Sequence, residues 1–283
     1  MLGLSLVGLW APGAYARPSS DREEEGLLGP VRLVVTQEAF LTQTDRYDAA
    51  GWLVERLQEG IQSAQRLWPL RFLYEYDPGG EGRAERVWDG RGELVKETRV
   101  VYDARGQRIA EVAAWSDGTF DNASFYTYDP EGRRVSGLHY NATAVINRNT
   151  CSYDHQGRLS RERFARNYQY DARGQLVVTP NLFEFGYEVL STYDAQGHVR
   201  EKIVTDLSGH PQTRSEFEYD ERGNQIEERT YNERGTLTDH KQYRYEYDPA
   251  GNWTSENLNW YRLSEGTSRP YRTQARIRTI QYH

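Results

Sequence analysis

The sequence predicts an all-β protein whose repeated antiparallel hairpins form one long, twisted or coiled meander sheet. A turn motif, Tyr-Asp-x-x-Gly, recurs nine times along the 283 residues. Between the turns, aromatic residues alternate with polar ones, which is the period of a strand with two different faces. The 21 Tyr and 7 Trp also favour strands, because aromatic side chains fit a pleated, half-buried surface.

The repeating unit is clearest near the C-terminus. Residues 243–247 read Tyr-Arg-Tyr-Glu-Tyr, so one face of this strand is aromatic and the other is charged. Residues 248–251 read Asp-Pro-Ala-Gly, in which Asp can accept a backbone hydrogen bond, Pro fixes φ and Gly tolerates positive φ. The unit is therefore a strand, a tight turn and the next strand.

The spacing of the motif indicates a repeat architecture. Successive copies lie about 13 residues apart or about twice that distance, which leaves strands of about eight or nine residues. Two relaxed copies begin at Trp88 and Tyr231. The nine strict copies begin at Tyr47, Tyr76, Tyr102, Tyr128, Tyr153, Tyr170, Tyr193, Tyr219 and Tyr247.

Two regions fit the repeat less well. Residues 49–70 have apolar positions at helical spacing, but they follow a Tyr-Asp turn, so we predict a strand there. Residues 254–283 predict two closing strands that cap the array. Ile226 and Tyr231 fall on opposite faces of a simple strand, which predicts a β-bulge between them.

The N-terminus suggests export. Residues 1–16 resemble a signal peptide: they are mostly apolar and end in Ala14-Tyr15-Ala16, which fits the small-x-small cleavage rule. The usual basic residues before the apolar run are missing, so a simple apolar terminus is the alternative. Residues 17–30 are rich in Pro, Ser and Glu and predict a disordered linker. Residues 31–283 then form a single β domain, which we expect to be secreted, periplasmic or at the cell surface.

Composition excludes several classes of protein. The net charge of −7 argues against binding to nucleic acid or to anionic membranes, which requires clustered Lys and Arg. The apolar N-terminal run is too short and too interrupted by Gly and Pro for a transmembrane helix, and no other run approaches that length. The single cysteine, Cys151, excludes an intramolecular disulfide.

The repeated motif, followed by Gln, Asn, Arg or His and then by an aliphatic residue, resembles the YD repeats of the Rhs type. Residues 102–109 and 170–176 are examples, and the resemblance covers about residues 45–255. It implies a β-rich scaffold at the cell surface or outside the cell, often described as carbohydrate-binding. The large members of the family form coiled shells that enclose a toxin or carry teneurin-like extracellular modules.

This chain differs from those large members in ways that affect the expected function. It is shorter by hundreds of residues than a closed shell requires, and it has no toxin-like domain after the array. Residues 248–251 are similar to the Asp-Pro-x-Gly of the self-cleaving core terminus, but the Gly- and Asn-rich continuation is absent. The chain is more similar to small, stand-alone exported members, for which the resemblance implies no defined activity.

The sequence predicts no catalytic residues, no metal site and no cofactor. Cys151 and His155 could pair across a turn, but His155 occupies a variable turn position, and the histidines lack metal-ligand spacing. The repeat aspartates have a structural use in their turns. Asp103, Asp171 and Asp220 are therefore expected to support stability, against the alternatives of a glycosidase carboxylate pair or calcium ligands.

The surplus of aromatic residues is the remaining indication of function. Aromatic rings near turns could stack on sugar faces while neighbouring polar groups hold the hydroxyls; the alternative is that these rings pack within the sheet. The predicted binding residues are Trp88, Trp115, Trp253 and Trp260.

We therefore expect a non-enzymatic, exported scaffold or binding module for cell-envelope carbohydrate or for a partner protein. Two alternatives remain open: a cytosolic immunity or accessory protein that pairs with a polymorphic toxin through an open sheet edge, and a carboxylate-based glycoside hydrolase. The sequence does not predict the ligand, the oligomeric state or whether the sheet closes on itself.

Overall fold

The strands of the protein begin and end at the turns that the motif predicts. Asp103 Oδ1 accepts hydrogen bonds from the backbone N–H groups of Arg105 (2.9 Å) and Gln107 (2.8 Å), and Gly106 has a φ of 77°. The side chain thus satisfies turn amides that a strand ladder cannot reach. The computed structural model describes residues 20–60, 69–77, 82–142, 145–166, 168–170, 176–178, 185–261 and 270–283.

Most of the described residues are in strands, and the one helix among them is short, α1 (Asp21–Glu24). The strands are β1 (Val31–Gln37), β2 (Leu41–Tyr47), β3 (Leu53–Gly60), β4 (Leu70–Tyr76), β5 (Gly82–Trp88), β6 (Leu94–Tyr102), β7 (Arg108–Trp115), β8 (Phe120–Tyr128), β9 (Arg134–Asn141), β10 (Val145–Tyr153), β11 (Leu159–Arg166), β12 (Tyr168–Tyr170), β13 (Leu176–Val178), β14 (Phe185–Tyr193), β15 (Val199–Asp206), β16 (Pro211–Tyr219), β17 (Gln225–Asn232), β18 (Leu237–Tyr247), β19 (Trp253–Tyr261) and β20 (Pro270–Tyr282).

Eighteen of these strands form one antiparallel sheet, and β12 and β13 form a separate hairpin. In the large sheet each strand pairs with its neighbours in sequence, and β11 pairs directly with β14. The last strand, β20, also pairs with the first: Ile280 lies opposite Val34, and Val34 lies opposite Asp45 of β2. The sheet is therefore a closed barrel.

The prediction of an all-β antiparallel meander is confirmed. The meander closes into a barrel rather than forming a long twisted or coiled strip, and the sequence had left closure open. An open sheet of this size would leave the backbone N–H and C=O groups of two long edge strands unpaired. The pairing of β1 with β20 removes both edges, which only full closure achieves.

The strict and relaxed copies of the motif lie at opposite ends of the barrel. In a meander, successive turns alternate between ends, so the longer spacing of about 26 residues is the period of a hairpin. We call the end that holds the strict copies the Tyr-Asp end. The turns that begin with Asp89, Asp206 and Asn232 lie at the opposite end. The turn after Tyr170 lies outside the described residues.

Tyrosines of the motif tie neighbouring strands together at the Tyr-Asp end. The hydroxyls of Tyr128 and Tyr153 donate to the backbone carbonyls of Arg108 (2.6 Å) and Arg134 (2.7 Å), each at the start of the preceding strand. Tyr193 donates in the same way to Leu159. The recurring Tyr therefore has a specific hydrogen bond as well as a packing role.

At several turns, the residue after the motif glycine contacts the next motif tyrosine. The guanidinium carbons of Arg133 and Arg158 lie 4.9 and 4.6 Å from the ring centroids of Tyr153 and Tyr193. The same contact is made by His198, which stacks on the ring of Tyr219 at 4.7 Å. These contacts connect successive hairpins around the rim of the barrel.

The last link joins the two ends of the chain. Asn252 donates through Nδ2 to the hydroxyl of Tyr282 (2.9 Å) and to the carbonyl of Leu28 (2.8 Å), and Leu28 donates its N–H to Asn252 Oδ1. The backbone N–H of His283 donates to the Pro30 carbonyl. Tyr282 thus takes the place of a motif tyrosine where the barrel closes.

The N-terminal segment lies against the concave face of the barrel at the Tyr-Asp end. Asp21 of α1 accepts from the Leu53 N–H (2.8 Å) and from the Tyr76 hydroxyl, and Arg83 reaches it at 3.5 Å. Arg56 lies 3.7 Å from Glu25. Side chains from β3, β4 and β5 all contact this segment, which lies inside the barrel. We call the face of the sheet that carries these side chains the lumenal face. The sequence assigns these residues to a linker; from Ser20 onward they form α1 and pack here.

Two local predictions are confirmed. Residues 53–60, in the ambiguous region, form strand β3, and the C-terminal region supplies the two closing strands β19 and β20. The predicted bulge between Ile226 and Tyr231 is wrong: β17 pairs with β16 without a shift in this interval, and the extra residue beside Tyr231 is Thr238 of β18. The signal-peptide-like residues 1–16 lie outside the described residues.

Replacing a motif aspartate should destabilise the barrel, and the loss should depend on whether the new side chain can still accept the hydrogen bonds of the turn. We expect Asp103→Ala to lower the free energy of unfolding by roughly 1–3 kcal/mol, because two turn amides lose their acceptor. The Asp103→Asn variant should lose much less stability, since an asparagine can accept both bonds. In its own turn, Asn232 accepts the equivalent bonds from the Arg234 N–H (3.0 Å) and the Thr236 N–H (2.9 Å). Urea denaturation measures both variants. Glu221→Ala, an exposed turn position, is the control, and an equal loss in all three variants would contradict this role.

The turn carboxylates should also make stability depend on pH. Donation from the Glu93 N–H, with further donation from the Arg91 N–H, lowers the pKa of Asp89. A lowered pKa in the folded state stabilises the protein above the pKa of the unfolded chain, and this contribution is lost as the pH falls from about 5 toward 2. We expect Asp89→Asn, which cannot titrate, to show a flatter decline in chemical denaturation between these pH values. Parallel curves for the variant and the parent would contradict the assignment.

Candidate functional site

The lumenal wall carries the aromatic face of the strands, mixed with charged residues. The register places Tyr74 opposite Glu85, Glu85 opposite Thr98 and Phe217 opposite Glu228, all on the lumenal face. The alternation predicted from the sequence therefore distinguishes inside from outside, but charge is present on both sides.

The outer face carries ladders of opposite charge. Glu55 lies between Arg46 (3.1 Å) and Arg71 (2.6 Å), and similar ladders run across later strands. Arg229, for example, lies between Glu218 (3.0 Å) and Glu227. Cross-strand pairs of opposite charge stabilise neighbouring strands modestly and keep this face hydrated.

One part of the outer face is apolar. Val101, Val112 and Phe125 are exposed on the neighbouring strands β6, β7 and β8. Phe125 packs edge-on against Tyr140 of β9, with ring centroids 5.6 Å apart. These four residues are called the outer apolar patch below.

The four predicted tryptophans do not form one cluster. Trp88 pairs with Arg71, which places it on the outer face, and its indole nitrogen is buried with no hydrogen-bond partner in the described part of the chain. Trp253 is lumenal, at the Tyr-Asp end. Its ring is covered by the guanidiniums of Arg278 (3.6 Å) and Arg276 (5.3 Å). These two rings therefore lie on different faces of the sheet.

Trp115 and Trp260 are both lumenal and lie at the same end of the barrel, opposite the Tyr-Asp end. The Lys96 ammonium lies 5.6 Å from the Trp115 ring, and the Arg272 guanidinium lies 4.6 Å from the Trp260 ring. Trp115 is 46% exposed. Each site combines an aromatic surface with a hydrogen-bond donor, which suits a polar ligand that also has an apolar face.

Further aromatic surfaces on the lumenal wall were not predicted as binding residues. Tyr187 is 44% exposed and stacks on Phe164 of the adjacent strand, with centroids 4.9 Å apart. The Lys202 ammonium lies 5.7 Å from the Phe217 ring. The alternation of aromatics in these strands was the signal that could have identified them.

The structure does not bring Cys151 and His155 together. Cys151 is buried on the lumenal wall, where its Sγ lies 4.0 Å from Arg134 and 3.9 Å from Glu162, whereas His155 is exposed in a turn. Burial raises the pKa of the Cys151 thiol, so the nucleophilic thiolate is disfavoured. This geometry opposes a nucleophile pair at these two positions, which the sequence analysis had also disfavoured.

A serine–histidine pair that the sequence did not reveal lies nearby. Ser124 Oγ and His139 Nδ1 are 2.8 Å apart on neighbouring strands. Burial lowers the pKa of His139, so its imidazole is neutral at neutral pH. A catalytic triad also needs a carboxylate hydrogen-bonded to the second ring nitrogen, and no such bond is found among the described residues.

The described residues hold no group of three or more His, Cys, Asp or Glu side chains that could bind a metal ion. No helix in the described part of the chain is long and apolar enough to cross a membrane.

Comparisons with known proteins give weak structural likenesses only. No protein-family model matches the sequence, and no curated protein matches it. A porin-like protein from Bacteroides uniformis is 12% identical, with a TM-score of 0.48, over 90% of this chain and 98% of that chain. The TcdB2-TccC3-TEV structure is 12% identical, with a TM-score of 0.21, over 85% of this chain and 20% of that chain. A Bacteroides fragilis protein of unknown function is 12% identical, with a TM-score of 0.23, over 50% of this chain and 91% of that chain.

The buried position of Cys151 predicts slow reaction with thiol reagents. We expect native protein to react with a maleimide at less than about a tenth of the rate measured in denaturant, because the thiol is shielded and its thiolate is disfavoured. Mass spectrometry of timed samples measures the rate, and Ser152→Cys in a Cys151→Ala background, at an exposed neighbouring position, is the reactive control. Equal rates at the two positions would show that Cys151 is accessible.

Proposed function

We propose that this protein is an exported, non-enzymatic binding module of the YD-repeat type whose lumenal wall binds carbohydrate of the cell envelope. The observation that carries the proposal is the pairing of Trp115 with Lys96 and of Trp260 with Arg272 at one end of the lumen. A sugar ring has an apolar C–H face that an indole can cover and hydroxyls that a cationic donor can bind. Ligand sites in proteins commonly combine an apolar or aromatic lining with a few well-placed polar groups.

The repeat and the N-terminal sequence support the other parts of the proposal. The motif aspartate and tyrosine have structural bonds in turn after turn, as a scaffold of identical units requires. Export rests on the apolar residues 2–16 and the small-x-small sequence that ends them.

The two earlier alternatives are less compatible with this geometry. Closure of the eighteen-strand sheet removes the open edge through which an immunity protein would pair with a toxin. Oδ1 of Asp103 and of Asp220 already accepts two backbone bonds in each turn, which opposes a role for these carboxylates in glycoside hydrolysis.

A protein partner is the second candidate ligand, and the outer apolar patch favours it. Val101, Val112 and Phe125 interrupt a face that elsewhere carries charge ladders. Exposed apolar groups that lie together often mark a surface that another protein covers.

The carbohydrate proposal is tested by a glycan-array screen of residues 17–283, followed by titration of any hit with tryptophan fluorescence as the signal. We expect a saturable change, and Trp115→Ala or Trp260→Ala should weaken binding about tenfold, because the stacking of one ring contributes roughly 1–1.5 kcal/mol. Trp88→Ala, on the outer face, is the matched control and should bind normally.

Folded protein that binds no glycan would overturn the proposal, as would a hit that all three variants bind equally. A negative screen combined with capture of an envelope protein that is lost in Phe125→Ser would instead support the second candidate.

A further inference from the structure

The lumen contains a partly buried arginine that no carboxylate neutralises by direct contact. Arg278 of β20 is partly buried at the Tyr-Asp end, and its Nε is enclosed without a hydrogen-bond acceptor in the described part of the chain. In the part of the chain that the structure describes, its guanidinium makes one close contact, with the face of Trp253 at 3.6 Å. Because a buried charge is costly unless it is paired, this arginine differs from an ordinary structural one.

The neighbouring carboxylates are already bound to other arginines. Asp45 holds Arg56 through two bonds of 2.6 and 3.0 Å, and Glu256 holds Arg276 through Nε at 2.7 Å and a second bond. These bidentate pairs leave little acceptor capacity for a third guanidinium.

The two remaining carboxylates are more loosely placed. Glu25 lies 3.7 Å from Arg56, and Glu38 lies 3.8 Å from Arg276. Burial lowers the pKa of Arg278; the charge of Glu25 opposes this shift, and the charge of Arg276 adds to it. An anion placed beside Arg278 would offset both the burial and the repulsion from Arg276.

We propose that Arg278 and Trp253 form an oxyanion-binding site on the lumenal wall at the Tyr-Asp end, which takes a carboxylate, sulfate or phosphate group. Arginine presents a planar fork of donors that matches two oxygens of such a group. Trp253 holds the fork from one side, so the donors of Arg278 are fixed in plane before the ligand arrives. The site lies at the other end of the lumen from Trp115 and Trp260, so it goes beyond the carbohydrate proposal and does not depend on it.

The stacking of Arg278 on Trp253 also provides the signal for a test. The full chain is titrated with sodium sulfate, sodium phosphate and sodium glucuronate at constant ionic strength set with sodium chloride, and tryptophan fluorescence is recorded. We expect a saturable change that Trp253→Phe abolishes. Binding should be at least tenfold weaker in Arg278→Gln and unchanged in Arg229→Gln, an arginine on the outer face.

The three probes separate the possible sources of the anion. Saturation by sulfate or phosphate supports a site for the free ion, and saturation by glucuronate alone supports an acidic sugar. Absence of saturation with all three would overturn the proposal, as would equal binding by Arg278→Gln. If Arg278→Gln does not fold, Arg278→Lys keeps the charge but loses the planar fork; weaker binding supports the site, and equal binding refutes it.

Discussion

The structure depends on one repeated constraint, the side-chain hydrogen bonds of the motif aspartate. Several motif aspartates accept from two backbone amides of their own turn, as Asp154 does from Gln156 (2.9 Å) and Arg158 (2.9 Å). A turn fixed in this way sets the register of the two strands that it joins, because a slip of one residue would move every side chain to the other face. The tyrosine before the aspartate then bonds to the preceding strand, so each turn also fixes the position of the neighbouring hairpin. Where the barrel closes, Asn252 bonds both to Tyr282 of the last strand and to Leu28.

This constraint makes the two ends of the barrel chemically different. At the Tyr-Asp end, most polar groups of the turns already make hydrogen bonds or ring contacts within the fold. These groups are the turn carboxylates, the tyrosine hydroxyls and the residues after the glycines. Helix α1 also packs against the wall at this end. At the opposite end the turns are relaxed copies, and the rings of Trp115 and Trp260 each lie beside one cation. Lys96 also pairs with Asp121 (2.6 Å), but the Trp115 ring remains 46% exposed. Groups whose bonding capacity is used in the fold are poor ligands for anything else. Binding is therefore expected at the opposite end, or at a group such as Arg278 that the ladder leaves unmatched.

The local parts of this fold could be predicted from the sequence, and the global parts could not. Turn chemistry and the period of two are local properties, so the strands, including β3 and the two closing strands, were accessible. Closure depends on the pairing of Val34 with Ile280, which are far apart in the sequence, and on the accumulated twist of all the intervening strands. The same limit applied to the tryptophans. Trp88 and Trp253 lie beside turns at which the register shifts, so sequence spacing did not show which face each ring would take.

The aspartates also illustrate how an abundant, chemically capable residue can be unavailable for chemistry. A carboxylate acts as an acid, a base or a metal ligand only if it has a lone pair to offer and a pKa suited to the task. In these turns, backbone and side-chain donors occupy the oxygens and outweigh burial, so the pKa of Asp154 and the pKa of Asp194 are lowered. Such groups remain ionised and hydrogen-bonded at neutral pH, which stabilises the turn and opposes proton transfer. The charge of the lumenal wall is organised differently, by pairs such as Arg56 with Asp45. Arg278 is the exception, because its Nε has no acceptor in the described part of the chain, and it is the site that we propose for an anion.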